Sequence, residues 1–239
     1  MNDEIFDKYR EAGLLAAKIL RDGAKEIRIG ASYLDIIESI ESRVTEDGAA
    51  LAFPLNLSLN EDAAHDTASP GDTRILTKGD VAKLDLGVQV DGYIADTATT
   101  VDLGVNSLLV DASKQALEAA IGIIRPGVTA GDLGMAVQTT IENRGYRPIA
   151  NLTGHGLDKY VLHRSPTIPN IGIKGGMVLE EGWSLPLNHS RQPAAGMSWK
   201  KQGRRFTPRS PKNPSGSLPA GQFLNRSGTA TGSRFRGAG

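Results

Sequence analysis

The stretch KLDLGVQVDGYIADTATTV, residues 83–101, sets two carboxylates on one ribbon. Asp91-Gly92 between β-rich runs marks a two-residue hairpin turn, because both turn positions need positive φ. With that turn, Val90 faces Tyr93 and Asp85 faces Ala98. Asp96 lies two residues from Ala98 and shares the face of Asp85, as a diagonal neighbour roughly 7–8 Å away. Leu84, Leu86, Val88, Val90 and Tyr93 take the opposite face, toward a core. Like charges that close raise a pKa unless a cation or base lies between them. Two divalent ions roughly 3.5–4 Å apart would satisfy both groups at once. The alternative is a pair of solvated acids on an exposed face.

Histidine is the natural further ligand for a catalytic transition metal. The chain has four. His65 ends FPLNLSLNEDAAH, His155 ends NLTGH, His163 ends KYVLH, and His189 lies in a basic C-terminal stretch. Any one alone reads as an ordinary surface or packed histidine. Their placement matters more: His155 and His163 frame one loop, and His65 follows a similar segment in the first half.

The elements that must position these residues follow from periodicity. Apolar residues at helical spacing predict helices over 3–22, with Gly23 as a stop, and over 32–46, with Ser32 as N-cap. Two more are predicted over 111–124 and 129–144, the second capped by Thr129. Strand-like runs occupy 80–90, 93–102 and 147–152. An internal echo links the halves: Gly30 matches Gly127, Ser32 matches Thr129, Asp35 matches Asp132, and Gly48 matches Gly145. With a two-residue gap, Asn56-Leu57-Ser58 matches Asn151-Leu152-Thr153. Two such units imply pseudo-twofold symmetry with a site between the halves, unless capped helices simply look alike.

Net charge is zero, but its parts are not. All 27 acidic residues precede Trp183, and the stretch from Trp183 to Gly239 holds ten Lys or Arg and no acid. That stretch is rich in Pro, Gly and Ser and lacks apolar periodicity, so it is expected to be a disordered basic tail, 183–239, appended to a folded domain, 1–182. Without cysteine there is no disulfide framework or thiol chemistry, as suits a reducing cytoplasm. The charged N-terminus is not a signal peptide, and no run reaches the ~18 apolar residues of a membrane span.

FPLNLSLNEDAAH, KLDLGVQVDGYIADTATT, NLTGHGLDKYVLH and IPN (168–170) together resemble the type II methionine aminopeptidases, most closely the archaeal kind, from about residue 3 to residue 182. The resemblance implies an α+β pita-bread (creatinase/aminopeptidase) fold of two αβ halves, here incomplete at the C-terminus. It implies removal of the initiator methionine from nascent polypeptides by a hydroxide activated between two divalent metal ions, Co, Mn, Fe or Zn. In that scheme Asp85 binds one metal, Asp96 bridges both and His155 completes the first site. His65 and His163 hold substrate and stabilise the tetrahedral oxyanion, and Phe53, Pro54 and Asn56 line the methionine pocket. The implied setting is cytoplasmic, with nascent N-termini and the ribosome as partners, and neither membrane nor DNA.

The family scheme also has two Glu ligands, both beyond position 182, the first within an Ile-Glu-Pro-Phe-Ala-Thr motif. Here GMVLEEG (176–182) leads instead into WSLPLNHSRQ. Codons compatible with Ser184–Gln192, read two bases on, spell Ala-Ala-Ile-Glu-Pro-Phe-Ala-Thr. A frameshift near residue 183 is therefore expected, and with it a chain that lacks aminopeptidase activity. Two other readings compete: a catalytically silent pita-bread protein that contacts RNA or the ribosome through its basic tail, and an Xaa-Pro dipeptidase of the same fold.

Overall fold

The structure is a computed structural model that describes residues 3–184 and the backbone of 197–198. The chain divides into two units, Met1–Phe206 and Thr207–Gly239, and every described residue falls in the first. Most of the expected basic tail therefore lies outside the described residues, His189 included.

The first half begins with helices α1 (Asp3–Gly23) and α2 (Tyr33–Glu46). Ser32 caps α2 by accepting a hydrogen bond from the amide of Asp35 at 3.2 Å. Strands β1 (Ala50–Leu51) and β2 (Asn56–Leu59) follow, and then the long pair β3 (Val81–Val90) and β4 (Tyr93–Asp102). β3 is central: β1 and β2 share one of its edges and β4 takes the other, all antiparallel. Period-two alternation buries Leu84, Leu86 and Val88 of β3 against Ala16, Ile19 and Leu20 of α1 and Ile36, Ile37 and Ile40 of α2. α1 ends at Gly23, where a stop was expected, and that residue is buried. A Cβ there would stand 2.6 Å from the Cδ1 of Ile40, so glycine lets the two helices approach without displacing that side chain.

The second half repeats the plan with α3 (Ser107–Ile123), α4 (Ala130–Glu142), β5 (Arg147–Pro148), β6 (Thr153–Asp158) and β7 (Val161–Pro169). A short β8 (Met197–Ser198) pairs with β5. Thr129 and Asp132 form a reciprocal capping box at the start of α4. α3 starts a turn earlier than periodicity suggested. The Asp102 carboxylate accepts from the amides of Gly104 (2.9 Å) and Asn106 (2.6 Å) and turns the chain into the helix there. The strand expected over 147–152 shrinks to two residues. Pro148 has no amide to donate, and the side-chain amide of Asn170 donates to the carbonyls of Ile149 (3.3 Å) and Leu152 (2.9 Å), replacing ladder partners.

The internal echo is visible in the backbone. Gly30 N–H donates to Leu76 O, and Leu76 N–H returns to Ala31 O; Gly127 and Leu179 do the same, the latter with Val128 O. Tyr33 N–H donates to Arg74 O as Ala130 N–H does to Met177 O. Gly30, Gly127, Gly48 and Gly145 all have positive φ, between 79° and 91°. The repeat does not extend to Asn56-Leu57-Ser58, which lie on β2, whereas Asn151 and Leu152 precede β6. Among the described residues, no helix is long and apolar enough to cross a membrane.

The two halves also differ in how tightly segments cross them. A Cβ on Gly131 in α4 would overlap the backbone carbonyls of Ile173 and Gly175, whereas one on Gly13 in α1 meets nothing within 4 Å. Gly131→Ala should cost about 1–3 kcal/mol, as overpacking does against atoms that cannot rotate away. Gly13→Ala should be neutral or stabilise by up to roughly 1 kcal/mol through helix propensity. Urea midpoints of the two variants against the parent check both.

Candidate metal centre

The hairpin register is the one the Asp91-Gly92 turn dictates. Val90 pairs with Tyr93, Asp85 with Ala98, and Gly87 with Asp96. Asp85 and Asp96 thus share the face opposite Leu84 and Leu86, and both line one cavity of about 500 Å³. The same cavity is lined by His65, His155, His163, Phe53, Pro54 and Asn56. All eight residues singled out from the sequence are therefore brought together.

Each reaches the cavity from a different support. Asn56 on β2 lies directly across from Asp85, and its side chain hydrogen-bonds the Asp85 carboxyl. Phe53 packs on the backbone of Gly87, where any Cβ would overlap its ring. His65 has φ 67°, a left-handed conformation uncommon outside glycine. The chain just beyond it is tied down by Arg74, whose Nη1 donates to Asp66 at 2.6 Å and whose Nη2 donates to Asp72 at 2.7 Å and to the carbonyl of Thr67 at 3.2 Å. The Arg74 guanidinium also lies 3.7 Å from the ring centroid of Tyr33, whose hydroxyl donates to Leu57 O. His155 on β6 and His163 on β7 pack edge to face with ring centroids 4.3 Å apart. The ribbon's register shifts at His155, between Gly154 and Gly156, and again between Gly156 and Asp158, the kind of irregularity that re-aims side chains.

The electrostatics follow from burial. Removal from water raises the Asp85 carboxyl well above its ordinary range, and the neighbouring Asp96 raises it further. Burial likewise raises Asp96, opposed by His163. Both imidazoles are lowered, His155 by burial and His163 by burial and then by its neighbour His155. The 3.5 Å approach of His155 Nε2 to Asp96 Oδ2 therefore sets a largely neutral ring beside a carboxyl group, with side chains only 19% and 12% exposed. Asp85, Asp96 and His155 thus bring two desolvated carboxyl groups and an imidazole to one wall of the cavity. That chemistry, two carboxylates and an imidazole nitrogen, suits a divalent transition ion. Among the described residues, however, no three such groups converge into a site that could hold an ion as they stand. The donors fit a metal, and the set is partial.

Two cavity-lining or neighbouring residues carried weaker signals. Asn170 lines the cavity and belongs to the IPN triplet, but its role as clamp of the 149–152 turn needed the tertiary structure. Lys83 shares the Asp85 face by strand alternation; its ammonium donates to Asn60 O at 3.0 Å, and burial brings its pKa down to about 8.

With this geometry in view, the comparisons with known proteins are specific. The model of metallopeptidase family M24 matches residues 7–185. The chain belongs to that family. An M24 relative, the methionine aminopeptidase of Archaeoglobus fulgidus, is 47% identical over 187 residues, covering 78% of this chain and 64% of the relative. The methionine aminopeptidase of Pyrococcus horikoshii is 48% identical over 178 residues, 74% of this chain and 60% of that one. The chain thus spans about three fifths of the length of these relatives. Among solved structures, methionine aminopeptidase from Thermotoga maritima superposes with a TM-score of 0.72 at 29% identity, over 77% of this chain and 78% of that one. Prolidase from Pyrococcus furiosus gives 0.67 at 23% identity, over 76% and 54%, a likeness of fold alone. The architecture is the α+β pita-bread fold of M24, and membership of a metallopeptidase family implies use of divalent metal.

Raised carboxyls make metal-free stability depend on pH with a definite sign. The folded state retains protons on Asp85 and Asp96 that the unfolded chain releases above about pH 4. Their contribution to stability therefore falls as pH rises from about 4 toward neutrality. Asp85→Asn removes one of these groups and relieves the other. In metal-free urea titrations, the stability of Asp85→Asn relative to the parent should rise steadily between pH 5 and pH 7.5. A relative stability that is flat or falls over that range would contradict the coupled, desolvated pair.

Proposed function

We propose that this chain carries the metal- and substrate-binding part of a methionine aminopeptidase acting on nascent polypeptide N-termini in the cytoplasm, within reach of the ribosome. The observation that supports this most directly is the sharing of one cavity by Asp85, Asp96, His155, His65 and His163. Asp85, Asp96 and His155 would hold divalent metal, Co, Mn, Fe or Zn, two ions when the ligand set is complete. A bound ion supplies Lewis acidity, polarising the scissile carbonyl and making water acidic enough to serve as nucleophile near neutral pH.

The remaining work falls to the chain's own groups. Asn56 fixes the rotamer of Asp85 through its hydrogen bond. The apolar wall of the cavity, with Phe53 and Pro54, accepts an unbranched thioether side chain and excludes water around it. His163, held neutral by burial, keeps a ring N–H with which to stabilise the oxyanion that develops on the substrate carbonyl. His65, on its left-handed backbone, holds the substrate from the opposite lobe.

The chain as it stands lacks turnover on this reading. No Asp or Glu occurs between Glu181 and Gly239, so the Ile-Glu-Pro-Phe-Ala-Thr ligand expected just after the 176–182 lead-in has no counterpart there. The expected frameshift near residue 183 accounts for that absence.

The test compares the full chain with a chimera in which the segment after residue 182 is replaced by the corresponding C-terminal segment of the Archaeoglobus fulgidus relative. With Met-Gly-Ser and added Co²⁺ or Mn²⁺, the chain should release no methionine above a metal-only blank, and the chimera should cleave. His163→Ala in the chimera should lower kcat by roughly 10²–10³. Turnover by the unaltered chain would overturn its inactivity. A chimera that ignores Met-Gly-Ser and cleaves Xaa-Pro dipeptides would overturn the substrate.

A further inference from the structure

The two ribbons that carry the candidate site also meet at their tips. β3 and β4 turn at Asp91-Gly92, and β6 and β7 turn at Lys159-Tyr160. The amide of Tyr160 donates to Gly92 O at 2.7 Å. A Cβ built on Gly92 would stand 2.5 Å from Cε2 of Tyr160, so the phenol ring occupies the place a side chain would take. Lys159 Nζ lies 5.1 Å from the ring centroid of Tyr93, which packs edge-on against Tyr9 of α1 at 5.2 Å. Lys8 of the same helix pairs with Asp91 at 2.8 Å.

Tyr160 is an unusual residue to find there. Its side is 70% exposed, so burial gives it little to contribute to a core. Its backbone has φ 57°, a left-handed conformation that costs a bulky residue energy. Glycine or asparagine would form the turn with less strain. What the tyrosine adds is the ring seated on the opposite tip.

That seat bears on the site through distance along the strands. Asp96 is four residues from Gly92 and His155 is five from Tyr160, so both stand roughly 13–17 Å from the tips at strand rise. The ribbons come together again where His155 Nε2 reaches Asp96 Oδ2 at 3.5 Å. Fixing the tips fixes the angle between the ribbons, and that angle decides whether an imidazole on one can share an ion with a carboxylate on the other.

We propose that Tyr160 is a positioning residue: its ring and amide, seated on Gly92, lock the second ribbon against the first and hold His155 within reach of Asp96. The meaning of this for metal binding rests on the ligand reading given above; the geometry itself does not.

The test is made on the full chain without metal, by nuclear Overhauser contacts. One set lies between ribbons, from the His155 ring protons to the Asp96 β-protons. Two sets lie within ribbons, between the His155 and His163 rings and across the Asp85–Ala98 pair. Tyr160→Ser should lose the contact between ribbons and keep both sets within them, while Tyr160→Phe should keep all three. Tyr160→Gly, which removes the ring and relieves the left-handed turn, should behave as Tyr160→Ser. Persistence of the His155–Asp96 contact in Tyr160→Ser and Tyr160→Gly overturns the proposal. So does loss of all three sets in both variants, which would make the tip a requirement for folding and not for alignment. A chain that passes this test but fails to bind Mn²⁺ would sink the metal reading and leave the alignment standing.

Discussion

Placing two carboxyl groups side by side on one face of a buried β-ribbon is the constraint from which the rest of this structure follows. Carboxylates taken out of water and set next to each other are costly unless something positive comes between them. Everything nearby answers that cost in part. Asn56 donates to Asp85. His155 and His163 are neutral nitrogen donors on a second ribbon that faces the first. Burial lowers the pKa of both rings, so neither fully offsets the cost of the paired carboxyl groups.

The ribbon itself was legible because a strand has an exact side-chain period. Once Asp91-Gly92 fixed the turn, every residue from Asp85 to Ala98 had an assigned face, and the register follows that assignment residue by residue. The caps at Ser32 and Thr129 were legible for a similar reason, since each is a local hydrogen bond between residues three apart. The segment around 147–152 was not. Its apolar composition reads as a strand, but the carbonyls of Ile149 and Leu152 are taken by Asn170, 21 and 18 residues away, and no local rule announces such a capture. The close approach at Gly23 was hidden for the same reason: a glycine at a helix end reads as a stop, and only the packed partner Ile40 reveals that space matters there as well.

The duplication explains why a site exists between the halves at all. Each half folds its helices onto strands through matching backbone hydrogen bonds about Leu76 and Leu179. The chemistry has been distributed unequally over this common frame: the first half supplies the carboxylates and His65, and the second supplies His155 and His163. Sequence comparison sees this division only as separate motifs. The cavity at the junction is where they become one functional unit.

The knot around Arg74 has a further consequence. Its guanidinium holds its proton more tightly than usual because of Asp72 and Asp66, and Asp72 in turn stays ionised below the ordinary carboxylate range. The phenol of Tyr33 is likewise held well above its usual value by burial. None of these three groups changes charge between mildly acidic and mildly alkaline solution. The segment that presents His65 is thus anchored by an acidity-blind brace, and a response to proton concentration has to come from groups outside it, such as Asp85, Asp96 and the Lys83 beside them.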